Sequence, residues 1–134
     1  MSERLIVDGM NVLGSRPDGW WRDRPAAMRR LVGRLDDLAE REGAEVTVVF
    51  DGREHARVVA AARRVEVGFA PGGRDAADGE IVRRISADAE PATIVAVTSD
   101  RRLRARIKAA GASSVPAGDL LRRLERSEDD AAAE

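Results

Sequence analysis

Cysteine is absent from this 134-residue chain, and so is tyrosine; histidine and lysine occur once each, and aromatic residues make up 3%. Without thiols neither a disulfide framework nor a thiolate metal site can form, so any metal would have to meet oxygen ligands. A reducing, cytoplasmic setting fits that composition. The single histidine, His55, is expected at a helix start or on the surface. Long hydrophobic runs are missing too. The opening MSERLIV carries two charges and then only three apolar residues before Asp8, far short of a signal core or a membrane span, so no membrane partner is expected.

The chain does have enough apolar material, 43%, to bury one core without covalent staples. Its net charge of −1 hides an asymmetry: the last eight residues, SEDDAAAE, hold four acids and no base, leaving the preceding body mildly basic. All basic residues but Lys108 are arginine. Arginine offers a planar fork to phosphate and a flat face to bases, although a GC-rich coding bias explains much of the excess. One domain over residues 1–126 and a disordered acidic tail over 127–134 are expected.

Short β-branched runs alternate with stretches of helical period. Strands are predicted at Leu5–Asp8, Glu45–Phe50, Val65–Ala70, Thr93–Thr98 and Ser113–Val115. The second and fourth are nearly continuous apolar runs, which suits strands covered on both faces. Met28, Leu31, Leu35 and Leu38 repeat at helical spacing within Pro25–Glu42, which Gly43 ends. Further helices are expected at His55–Ala62, around Ala77 to Ile85, around Leu103 to Ala110, and at Ala117–Arg126. The alternation predicts α/β architecture: a single-domain three-layer sandwich around a mainly parallel sheet of about five strands.

Asp8, Asp51 and Asp100 end three of those strands, in LIVDGMN, VVFDGRE and IVAVTSDRR. In an open parallel sheet the carboxyl ends of the strands lie along one edge, and ligands bind in the crevice there. Asp75 and Asp78 open the helix after the third strand, and Asp78 shares a helical face with Val82 and Ile85, so it should point toward the same edge. Each acid has a duller reading: a turn at Asp51 and Gly52, or a helix cap at Asp75 or Asp100, with Asn11 capping or turning. Caps gain nothing from crowding several acids together, and like charges repel unless a cation neutralises them. A hard ion such as Mg²⁺ or Mn²⁺, held by one or two carboxylates with phosphate completing its shell, suits phosphodiester chemistry.

Rival α/β chemistries fit less well. DGMNVLG lacks the GxGxxG turn of dinucleotide binding, Met10 stands where a dehalogenase-type phosphohydrolase needs a second aspartate, and Lys108 precedes the last strand, where a phospho-receiver needs lysine after it. VDGMNVL, VVFDG, DAADGEIVRRI and VTSDRRLR, in that order, resemble the YacP-like NYN domain family within the PIN-like nuclease superfamily, over roughly Leu5 to Leu124. The resemblance implies a PIN-like fold and an endoribonuclease that depends on Mg²⁺ or Mn²⁺. It implies Asp8, Asp78 and Asp100 as metal-binding acids, Asn11 as the polar residue beside them and Asp51 as the acid of the second strand. Asp75 could join the metal shell or cap its helix. RNA is the implied partner, with the ribosome or RNA-processing factors beyond it; the alternative is an RNA-binding module with little or no turnover. Met10 departs from the Tyr or Asn common at its position, which touches substrate contacts rather than the carboxylates.

Arg101, Arg102, Arg104, Arg106 and Lys108 follow Asp100, and Arg53, Arg57, Arg63 and Arg64 follow Asp51. Arg101, Arg102, Arg104 and Arg53 are the candidates for RNA contact, against the plainer reading of solvated helix faces. Trp20 and Trp21 are expected to pack at least one ring over the core, with stacking on an unpaired base as the other use.

Overall fold

The computed structural model describes residues 2–134, and the five predicted strands are all present. They are β1 (Arg4–Asp8), β2 (Glu45–Asp51), β3 (Glu66–Ala70), β4 (Ile94–Val97) and β5 (Ser113–Val115). They form one fully parallel sheet in the order β3-β2-β1-β4-β5. Six helices connect and flank them: α1 (Gly9–Gly14), α2 (Arg24–Glu42), α3 (Ala56–Ala61), α4 (Ala76–Ser86), α5 (Arg101–Ala109) and α6 (Ala117–Ala132). Every strand side chain alternates faces, which divides the core in two. Leu5, Val7, Val48 and Phe50 pack with α1, α2, α3 and α6 on one side. Ile6, Val49, Ile94 and Ala96 pack with α4 and α5 on the other. The expected three-layer α/β sandwich is the observed one.

Three differences from the sequence expectation matter. The segment after β1 does not simply turn but forms the short helix α1, because Asp8 accepts from the Asn11 N–H and caps it. Strand β4 stops at Val97, so Asp100 lies beyond the strand, at the cap of α5. The acidic tail is helical through Ala132 rather than disordered from 127. Its first turn is tied down: Arg41 donates to the buried Ser127 hydroxyl, and Arg34 grips Glu128 with two hydrogen bonds of 2.6 and 2.8 Å.

Gly9 explains how a helix can begin directly at the strand end. A Cβ built there would stand 2.4 Å from two ring carbons of Phe50, which is fully buried. Only a residue without a side chain lets the backbone pass over that ring. Gly9→Ala is therefore expected to destabilise the fold by about 1 to 3 kcal/mol through overpacking. Urea unfolding reads the effect, and an unmoved midpoint would mean that Phe50 yields freely.

Candidate acidic cleft at the sheet edge

The strand order reverses between β1 and β4. After β1 the chain moves outward through β2 to β3, and after β4 outward the other way to β5. The helices that follow β1 and β4 also lie on opposite faces, α1 with one core cluster and α5 with the other. Such a divergence opens a crevice at the carboxyl ends of the two strands, which is where ligands bind in open α/β sheets. Here the crevice is a cleft of about 710 Å³, and Asp8, Asp51, Asp75, Asp78 and Asp100 all line it together with Asn11.

Local hydrogen bonds fix the walls. Asp8 is buried and accepts the Thr98 hydroxyl at 2.9 Å. Thr98 in turn accepts the Asp100 N–H, and Asp100 accepts the Leu103 N–H at 3.0 Å, capping α5. Asn11 bridges the two loops by accepting the Ser99 N–H at 2.8 Å, while the Ser99 hydroxyl accepts from Ala117 at the start of α6. Asp51 reaches across to accept the Ala77 N–H at 2.7 Å. It thereby takes over the capping of α4, and Asp75, in the cap position, makes no capping bond. Asp75 is also the one non-glycine residue with a left-handed backbone among those described, φ +66°, just after Gly72 and Gly73. Its carboxylate is left to face the cleft rather than its own helix.

The acids feel one another. Burial pushes the Asp8 carboxyl up to about 6, against relief from Thr98 and the Asn11 N–H and with added repulsion from Asp78 and Asp51. Burial likewise raises Asp78, helped by Asp100, Asp75 and Asp51 and opposed by Arg106. None of the five makes an ion pair among the described residues, whereas Glu3, Asp37, Glu80, Asp88, Glu125 and Glu128 all hold arginines. An oxygen-only set of unpaired carboxylates is the donor chemistry a hard divalent ion takes. Among the described residues no three acids stand so as to grip one ion by themselves. One or two carboxylates, with water and a substrate phosphate, fit the arrangement better than a closed protein cage.

The profile of the YacP-like NYN domain matches residues 5–134. The chain belongs to that family. Two crystal structures are similar to this NYN domain over nearly its whole length. One is a tryptophan-to-leucine mutant of Rae1 (YacP) from Bacillus subtilis: TM-score 0.78, 31% identity, covering 95% of this chain and 77% of the other. The other is Rae1 (YacP) from Bacillus subtilis without that substitution, at TM-score 0.75 and 27% identity over 96% of this chain and 77% of the other. No curated protein sequence matches. The family is a PIN-like nuclease family, so nuclease chemistry is what membership points to. No helix among the described residues is long and apolar enough to cross a membrane.

Within this NYN domain the expected acids do gather, but the arginines divide. Arg53 lines the cleft, and Arg101 and Arg102 are exposed at the start of α5. Arg104 is held instead against β5, donating to the Ser114 hydroxyl at 3.0 Å. Arg63 pairs with Asp37 and Glu40, and Arg64 lines a separate cavity at the amino ends of the strands, because α3 carries the chain back before β3 begins. Glu80 faces away, gripped by Arg83 and Arg84 and held down at about 2. Arg24 and Arg74, which the sequence reading passed over, also line the cleft, as do Trp20 and His55, whose ring lies 6.0 Å from that of Phe69. The only sequence signal of the two arginines was position, Arg24 at the start of the helix that follows the β1 connection and Arg74 in the connection that follows β3.

Proposed function

We propose that this domain is a Mg²⁺- or Mn²⁺-dependent endoribonuclease of the cytoplasm. One or two of Asp8, Asp78, Asp100 and Asp75 would ligate the ion directly, and the others would hold it through bound water. What carries the reading is the crowd of five unpaired carboxylates in one cleft of a nuclease-family fold. A bound divalent ion supplies Lewis-acid polarisation of the scissile phosphodiester. The chain's own groups do the positioning. Thr98 fixes the rotamer of Asp8, and the cap on α5 engages only Oδ1 of Asp100, leaving its other oxygen to the cleft. Asp51 holds the start of α4, and hence Asp78, against the strand ends. Asn11 spends its carbonyl oxygen on Ser99, so its amide N–H group is the part left to donate to a phosphoryl oxygen. Arg24, Arg53 and Arg74 rim the acids and suit the phosphates on either side.

The absence, among the described residues, of three acids poised around one point favours a second reading, an RNA-binding module with little turnover. One experiment separates them. The pure protein is incubated with single-stranded and structured RNA in Mn²⁺, Mg²⁺ or EDTA, and new internal ends are mapped. Ends that appear only with a divalent ion are the expected result. RNA that is retained by the protein but stays intact under every condition would establish the binding module instead.

A further inference from the structure

The chain's two tryptophans are adjacent, and one of them lines the acidic cleft. Trp20 lines it, and Trp21 is 50% exposed, the one large hydrophobic side chain among the described residues left in solvent. Their ring centroids lie 6.1 Å apart at 89°, edge to face. The guanidinium of Arg24 stands 5.2 Å from the Trp20 ring and that of Arg22 stands 5.9 Å from Trp21, within cation–π range. Neither arginine is paired with a described carboxylate. The pair does not ride on a loose loop. It forms a 3-10 turn over Trp20–Arg22, entered through Gly19 at φ +80°, closed by the Arg22 N–H on the Gly19 carbonyl, and followed by the Asp23 cap of α2.

We infer that Trp20 and Trp21 form a stacking subsite for an unpaired nucleobase of the strand whose phosphates enter the acidic cleft. The inference rests on the RNA reading above. The rim decides the occupant: an exposed indole flanked by unpaired cations suits a flat ring attached to a polyanion, whereas an apolar protein surface would leave those cations uncompensated. A duplex keeps its base faces stacked on one another, so the subsite discriminates in favour of single-stranded RNA.

With no tyrosine present, intrinsic fluorescence reports this pair alone. Binding is followed in the Asp100→Asn background with three probes: a single-stranded oligouridylate, a base-free ribose-phosphate oligomer of equal length, and an RNA duplex. The oligouridylate is expected to quench the indole emission and the base-free oligomer to leave it unchanged, with the duplex binding more weakly than the single strand. Trp21→Ala should weaken oligouridylate binding about tenfold and leave the salt dependence unaltered, since it removes a base contact and no phosphate contact. Trp21→Phe should recover most of the loss, and the exposure of Trp21 lets both variants keep the parental melting temperature. Oligouridylate that binds the parent and Trp21→Ala equally well, or quenching by the base-free oligomer, would overturn the subsite while leaving the RNA reading intact. No binding of any probe to the parent would overturn both.

Discussion

Asp36→Ala is expected to lower the unfolding free energy by about 4 kcal/mol, although Asp36 does not line the cleft. The residue sits inside α2 with no exposure to solvent. Its two oxygens accept three backbone N–H groups at the turn from α3 into β3: Arg64 and Val65 at 2.9 Å, and Arg63 at 3.1 Å. Alanine leaves those donors without acceptors, and each unsatisfied group costs about 1 to 3 kcal/mol where water cannot reach it. Arg63 and Arg64 lie nearer the surface than the buried Val65 and recover part of their loss by hydration, which keeps the total below the largest sum. The better helix propensity of alanine offsets only about half a kcal/mol. Asp36→Asn, which retains one acceptor oxygen, should fall between the two. Chemical denaturation provides the comparison, and a loss below about 1 kcal/mol for Asp36→Ala would show that this turn does not depend on the carboxylate.

Asp8→Asn should move stability and activity in opposite directions. The Asp8 carboxyl titrates near 6 in the folded chain against an ordinary 3.8, raised first by burial. As pH climbs from about 4 to 6 the unfolded chain loses this proton while the folded chain retains it, so the group lowers stability progressively over that window. Above pH 6 the loss levels off at about 3 kcal/mol. Asparagine carries no such charge and can still accept from Thr98. In metal-free buffer the variant should therefore match the parent near pH 4 and exceed it by up to about 3 kcal/mol at pH 7. If the proposed nuclease reading holds, the same substitution removes a metal oxygen and most cleavage. Mn²⁺ should then raise the melting temperature of the parent and hardly that of the variant, because a ligand stabilises only the state that binds it. Equal stability at pH 7, or equal melting shifts with Mn²⁺, would remove Asp8 from the proposed site.

The cleft lies where it does for reasons partly visible in the residue order. Strand-ending aspartates at 8 and 51 and the pair at 75 and 78 could be assigned to one edge once the sheet was taken as parallel, because parallel strands deliver all their carboxyl ends to the same side. Asp100 reached that edge too, but from a helix cap rather than a strand end. The arginines were harder. Arg53 and Arg64 stand 11 positions apart and both follow Asp51 in the sequence, yet one lines the cleft and the other a cavity at the opposite end of the strands. Local spacing does not report that α3 returns the chain across the whole height of the sheet.

Periodicity and strand chemistry by themselves determined the α/β class, the parallel sheet, the five strands and the edge that carries the acids, since these follow from which residues must be buried and how often they recur. Only the tertiary structure decided the rest. It gave the capping of α4 to Asp51 and freed Asp75, anchored the acidic tail through Arg34 and Arg41, and paired the arginines of the helical flank while leaving those of the cleft rim unpaired. The long-range pairings among these outcomes join groups as far apart as Asp51 and Ala77, 26 positions, and Arg16 and Glu125, 109 positions. A one-dimensional pattern carries burial because burial repeats along each element. It does not carry pairing, because which charge meets which is settled by how the elements pack.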